Sequence, residues 1–118
     1  MVEYLPKTRY TLSMSAITEQ QLDTIFHALA DATRRKILNL IAEIPLRVTD
    51  IAAQFETSLN AISKHLKVLE KAGLMTRKKD GRVYHCKTNT ERLKEVENWI
   101  LPYKEYWQVV VASRGRHT

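Results

Sequence analysis

Three features of the 118-residue sequence predict a mainly α chain of about five helices with one small β-hairpin. Two helices joined by a tight turn can be read between Val48 and Leu74. An Asp80-Gly81 pair, the strongest short hairpin signal, follows between strand-compatible residues. A last helix then carries Leu93, Val96, Ile100, Tyr103, Trp107 and Val110 at heptad-like spacings of 3, 4, 3, 4 and 3,.

The stretch from Val48 to Leu74 is the most informative. Thr49 is suited to cap the first of its helices, with Asp50 where a helix N-terminus favours negative charge. Ile51, Ala52 and Phe55 supply an apolar stripe. Glu56-Thr57-Ser58 breaks the pattern, and Ser58 can cap the next helix. There Ile62, Leu66 and Leu69 follow i, i+4, i+7 and face one core, while Asn60, Ser63, Lys64, Lys67 and Lys71 point away. Gly73 is a helix-ending signal, with Leu74 placed for the accompanying apolar contact. This is a helix-turn-helix pattern. Asn can pair bidentately with adenine, Lys can reach guanine or phosphate, and Ser can bond to either. Taken alone, the same face equally suits an ordinary solvated helix.

The hairpin alters that balance. With Asp80-Gly81 as its loop, Lys79 faces Arg82, Arg77 faces Tyr84 and Met75 faces Cys86. Met75, Tyr84 and Cys86 then share a face packed on the helices, and Lys78, Lys79 and Arg82 cluster at the tip. A basic hairpin directly after a helix-turn-helix makes a winged helix, whose tip can lie against phosphates or enter a minor groove.

Several segments together resemble the ArsR (ArsR/SmtB-type) winged-helix regulators. Ser63-Lys64-His65-Leu66, Leu69 and Lys71-Ala72-Gly73-Leu74 resemble that family's recognition helix. Phe26 to Leu38, reading FHALADATRRKIL, is similar to its entry into the second helix, with Ala32 where proline is usual. Asp80-Gly81-Arg82-Val83-Tyr84 is similar to its wing. The resemblance covers roughly residues 19–107, with the motifs in the family's order and spacing. It implies a homodimeric repressor dimerising through its first and last helices. The residues implied at that interface are Leu22, Ile25, Phe26, Leu93, Val96, Trp99, Ile100, Tyr103, Trp107 and Val110.

Composition is consistent with this. A chain of 13.7 kDa with 44% hydrophobic residues has room for a single core,. The net charge of +6 is localised: residues 58–87 hold eight Lys or Arg against two acids, and the remainder is balanced at eleven of each. Such a concentration is the electrostatic footprint of a nucleic-acid face and not of a membrane-lying helix. A single cysteine excludes an internal disulfide framework and fits a cytoplasmic protein. No stretch has the pattern of a signal peptide or the length of a membrane span.

In chain order, residues 1–15 read as an N-terminal arm. Such an arm either frays or reaches a partner subunit or DNA, and Met14 offers an alternative start. The domain follows over 16–112. Thr18-Glu19-Gln20-Gln21 resembles a capping box opening the first helix, with Leu22, Ile25, Phe26 and Leu29 apolar and His27 at the boundary. Asp31 can cap a second helix to about Ala42, with Ile37, Leu38 and Ile41 inward. Arg34, Arg35 and Lys36 suit a solvated, salt-bridged face better than a phosphate contact. Pro45 ends that helix, and Leu46-Arg47-Val48 can pair as a short strand with the wing. The helix-turn-helix (48–74), the wing (75–87) and a last helix (90–112) capped by Asn89 or Thr90 complete the domain. Pro102 should kink the last helix. Residues 113–118 read as a basic tail. The aromatic content of the last helix exceeds what so small a domain can hide, which marks a partner surface.

Other chemistries find little support. Family metal sensors carry paired cysteines before the recognition helix or a carboxylate/histidine set on the last one. This sequence has neither, so no metal or cofactor is expected. Cys86 reads as a core thiol and His85 points to the opposite strand face. No glycine-rich phosphate loop or catalytic triad is present, so no enzymatic activity is expected. The expected DNA contacts are Ser58, Asn60, Ala61, Ser63, Lys64, His65, Lys67, Lys78, Lys79 and Arg82. The alternative is a winged-helix module for a protein partner. An organic effector near Trp99, Tyr103 and Trp107 is compatible with the repressor reading.

Overall fold

The computed structural model describes residues 17–115, with side chains to Val110; the expected N-terminal arm and the last three residues of the tail lie outside that range. Five helices and one hairpin succeed one another: α1 (Glu19–Leu29), α2 (Ala32–Glu43), α3 (Val48–Ala52), α4 (Leu59–Lys71), β1 (Met75–Asp80), β2 (Val83–Thr88) and α5 (Thr90–Gly115). The mainly α winged helix-turn-helix is the fold observed. Among these residues no helix is long and apolar enough to cross a membrane.

Local capping chemistry sets most boundaries. Thr18 and Gln21 form a reciprocal capping box at α1, satisfying two otherwise orphaned N–H groups. Asp31 caps α2 by accepting from the Arg34 N–H at 3.0 Å, and Ser58 caps α4 by accepting from Ala61 N–H at 3.1 Å. The end of α4 is a Schellman turn: Gly73 N–H donates to Glu70 O, Leu74 N–H donates to Leu69 O, and Gly73 sits at φ +76°,. Leu69 and Leu74, the pair that turn brings together, are both fully buried.

The core is one cluster. Ile25 and Ala28 of α1, Ile37, Leu38 and Ile41 of α2, Ile51 of α3, and Ile62, Leu66 and Leu69 of α4 meet Met75 and Cys86 of the hairpin. Thr88, buried beside them, donates its hydroxyl to Leu38 O at 2.7 Å, so its polar group is not stranded. Burial pushes the Cys86 thiol pKa up, against a weaker opposing pull from Arg77. The core-thiol reading of Cys86 therefore holds.

Four sequence expectations are corrected. Thr49 does not cap α3: the helix starts at Val48 with Arg47 in the cap position and no side-chain cap. Arg47 instead grips Asp50 through two N–H···O bonds of 3.0 and 3.2 Å, so Asp50 does lie in the first turn as expected. Leu46-Arg47-Val48 is not a strand; only Leu46 pairs, exchanging both backbone bonds with Cys86, because Val48 is already helical. The hairpin loop is Gly81-Arg82, giving pairs Asp80 with Val83, Lys79 with Tyr84 and Arg77 with Cys86. An Asp80-Gly81 loop of the favoured type would need positive φ at both residues, whereas only Gly81 has it, at +67°,. The offset is two in pair sum, so Met75 and Cys86 keep their expected face. Tyr84 shares that face but lies beyond the helices, about half exposed. Finally, α5 continues through Pro102 to Gly115, past the expected start of the tail.

Gly73→Ala should destabilise the fold by roughly 1–2 kcal/mol, the cost of a Cβ in left-handed backbone, read by urea denaturation. The added methyl meets only the tip of the Arg92 side chain, so the backbone conformation sets the cost. Gly73→Asn should lose less, since Asn tolerates that region.

Asp31→Ala should cost about 0.5–2 kcal/mol at neutral pH, as for other N-cap losses. The Arg34 N–H, outweighing desolvation and helped by the Arg34 guanidinium charge, holds the Asp31 pKa below its usual value. A depressed folded pKa gives stability that is present above the unfolded value and lost as pH falls through the folded one. The difference between wild type and variant should therefore shrink as acid titrates the carboxylate, and a constant difference down to pH 2 would contradict this.

Candidate nucleic-acid interface

The cationic helix is α4, and its two faces are separated as the spacing implied. Ile62, Leu66 and Leu69 are fully buried, whereas Asn60, Lys64, Lys67 and Lys71 are exposed and Ser63 partly so. Ser58 and Ala61 lie in the first turn, where the Ser58 hydroxyl is engaged as the cap.

The helix is held on several sides. At its C-terminal end, the Asn89 side-chain amide donates to Gly73 O at 2.9 Å and Asn89 N–H donates to Leu74 O at 2.8 Å. Asn89 thus spans from the start of α5 to the turn after α4. On the wing side, Arg77 of β1 pairs with Glu70 at 3.3 Å. On the other flank His65 meets α2: its Nδ1 is 3.2 Å from Arg34 Nη1 and 4.0 Å from Asp31 Oδ1.

The expected solvated, salt-bridged face of Arg34, Arg35 and Lys36 is met in part: Arg34 lies 4.0 Å from Asp31 and Arg35 and Lys36 are exposed, but both arginines also reach back to α1. Arg34 Nε donates to Ala28 O at 2.7 Å and Nη2 donates to His27 O at 3.1 Å; Arg35 Nη1 donates to Leu29 O at 2.7 Å. These are carbonyls of the last turn of α1, where the helix ladder runs out and partial negative charge gathers; His27 O also accepts from the Ala30 N–H at 3.2 Å. Only a short α1–α2 connection allows the first turn of α2 to reach back to them. The sequence signal is the run Arg34-Arg35 six or seven residues after those carbonyls, but nothing in it tells the two arginines from solvated ones.

The wing carries its cations on both faces. Lys79 and Tyr84 are cross-strand neighbours, with the ammonium 5.8 Å from the ring centroid, a cation–π contact. Lys78, His85 and Lys87 fall on the opposite face and, with Pro45, Lys79 and Asp80, line a concavity of about 470 Å³. Lys78, Lys79 and Arg82 are exposed at the tip as expected. Lys87 was absent from the expected contact set; strand alternation from Cys86 places it outward and could have marked it.

The expected partner surface also has a definite geometry. Phe26 of α1 meets Trp99 of α5 edge-on, with centroids 5.6 Å apart at 78°, and Trp99 leans on Tyr103 at 5.4 Å. Tyr103 and Trp107 each remain 51% exposed and Tyr106 66%, so the subunit does not consume this surface. Leu22, Leu93, Val96, Ile100 and Val110 are partly buried around it. Ile25 departs from the expectation: with no exposed surface, it packs inside its own subunit and has none to offer a partner. Among the described residues no cluster of His, Cys, Asp or Glu could hold a metal ion.

Known proteins bear on this arrangement. Residues 31–77, which span α2 to the start of the wing, match the family described as "Bacterial regulatory protein, arsR family". The transcriptional repressor SdpR of Bacillus subtilis is 34% identical over 82 residues, covering 70% of this chain and 91% of that protein. A crystal structure of an ArsR family transcriptional regulator aligns at TM-score 0.69 and 36% identity, over 80% of this chain and 97% of that one. A homodimeric winged helix-turn-helix DNA-binding domain from Mycobacterium bovis shares the fold at TM-score 0.58 and 23% identity, over 89% and 96% of the two chains. The chain belongs to the ArsR family of winged helix-turn-helix transcriptional regulators.

Proposed function

We propose that the chain is a homodimeric repressor that binds an imperfect palindrome in double-stranded DNA. The observation that carries this reading is the placement of the cationic surplus, which lies wholly within residues 58–87, on α4 and the wing. Phosphate neutralisation dominates affinity for duplex DNA, and an α-helix fits the major groove. In this reading α4 lies in the groove with Asn60, Ser63 and Lys64 at base edges. Ser58, Ala61 and His65 lie along its rim, and Lys67, Lys78, Lys79 and Arg82 reach phosphates or the minor groove.

Dimerisation through α1 and α5 follows from the aromatic surface of Phe26, Trp99, Tyr103 and Trp107, whose exposure on a single subunit is otherwise costly. A twofold dimer would place two α4 helices on half-sites about 34–36 Å apart. The reading involves no metal, cofactor or catalysis, and it puts the protein in the cytoplasm. An organic effector seated by Trp99 and Trp107 is compatible with it.

Three outcomes are expected. Fluorescence anisotropy on the DNA upstream of the coding region should show a sequence-preferring complex of two subunits whose affinity falls steeply with salt. Weak, equal binding to random DNA, together with a salt-insensitive protein complex, would favour a protein-interaction module instead. Asn60→Ala should lose roughly 1–3 kcal/mol on the operator and relax discrimination at one base pair. Equal losses on specific and random DNA would remove Asn60 from the base-reading set. Lys79→Ala should weaken all sequences alike and reduce the salt slope by about one.

A further inference from the structure

We infer that Arg34 is a positioning residue for the nucleic-acid interface: it fixes His65 in one neutral tautomer, so that the ring presents its Nε2–H to a backbone phosphate. The inference rests on the DNA-binding reading above and extends the interface to an element outside the helix-turn-helix and wing.

Arg34 Nη1 lies 3.2 Å from His65 Nδ1. A guanidinium has only N–H donors, so Nδ1 must be the acceptor, and the single proton of the neutral imidazole is on Nε2. The other tautomer, or an imidazolium, would set one N–H against another at this contact. Arg34 cannot readily turn away. Its Nε and Nη2 are committed to the Ala28 and His27 carbonyls, and its side chain is only 12% exposed. Asp31, with carboxylate oxygens 4.0 Å from both Arg34 Nη1 and His65 Nδ1, offsets the guanidinium charge in this half-buried place.

The far edge of the ring is differently placed. Nε2 has no hydrogen-bond partner among the described residues, and the His65 side chain is 25% exposed. His65 lies on the flank of α4 away from Arg77, next to Lys64 in sequence. One N–H donor on the flank of a groove-seated helix suits a phosphate oxygen; bases are read by paired donors and acceptors at the helix front. Arg34 would thus act at a distance from the DNA, through the ring.

Two substitutions separate the anchor from the donor. His65→Asn keeps an acceptor near the Nδ1 position and removes the distal donor; His65→Gln can return an N–H near the Nε2 position. Long-range 1H–15N NMR of the free protein reads the tautomer directly. Binding is then measured by anisotropy on a duplex selected by the wild-type protein from a random library, intact and with single methylphosphonates.

Expected are a single Nε2–H tautomer in wild type, and a mixture of tautomers in Arg34→Lys. His65→Asn should bind roughly ten- to a hundredfold more weakly, the loss of a hydrogen bond to a charged group, at an unchanged melting midpoint. His65→Gln should recover most of that loss. One methylphosphonate should weaken the wild type and leave His65→Asn unaffected. An Nδ1–H tautomer in wild type would overturn the inference without any DNA, as would wild-type affinity in His65→Asn. Failure of the wild type to select any duplex would overturn the DNA-binding reading, and the phosphate contact with it.

Discussion

Arg34 is the constraint on which the mutual arrangement of α1, α2 and α4 depends. A helix end exposes carbonyls that its own ladder cannot satisfy. Here α1 ends against the start of α2, and one guanidinium serves the His27 and Ala28 carbonyls while also meeting His65 on α4. A single side chain therefore sets where α1 stops, how closely α2 follows it, and where the flank of α4 rests. Lys could not replace it in kind: an ammonium lacks the planar fork that reaches three acceptors on two elements at once. The hydrophobic cluster beneath supplies the driving force for folding, but it is non-directional. The directional bonds of Arg34 select one packing among those the same apolar residues would allow.

That division explains how much could be read from the sequence. The caps at Thr18, Asp31 and Ser58 and the Gly73 turn act within a few residues, so local spacing identified each. The faces of α2 and α4 followed from period alone, and the family resemblance extended the same local motifs to a fold. What could not be read involves partners distant in sequence or competition for one. Asp50 attracted Arg47, and the start of α3 moved ahead of Thr49. The hairpin slipped by two in pair sum because only Gly81 takes positive φ, and pattern cannot choose between adjacent loop positions. Ile25 belongs to an apolar face of α1 that also holds Phe26, and only packing shows that one turns to the core and the other to Trp99. The role of Arg34 depends on His65, thirty-one positions along the chain, and no short-range rule reaches it.

The charged and apolar surfaces divide the molecule in a way that suits its family. The cations concentrate on α4 and the wing, and the exposed aromatics concentrate on α5. Had the two overlapped, each association would desolvate charges that the other needs in water, at a cost that pairing rarely recovers. In the proposed reading this separation lets a partner subunit and a duplex be held at once, with the apolar contact setting the spacing of two cationic helices without touching either.

The attachments of α4 then determine what kind of change could alter that spacing. Arg34 holds one flank through His65, Arg77 holds the other through Glu70, and Asn89 ties its C-terminal turn to the first residues of α5. Among these, the Asn89 link is the one that connects directly to the helix bearing the aromatic surface. A shift of α5 at a subunit contact would thus be passed to the turn after α4 through two hydrogen bonds and the Gly73–Leu74 backbone, while the other attachments keep the helix against its own core. The movement expected of α4 is therefore a rigid displacement with α2 and the wing.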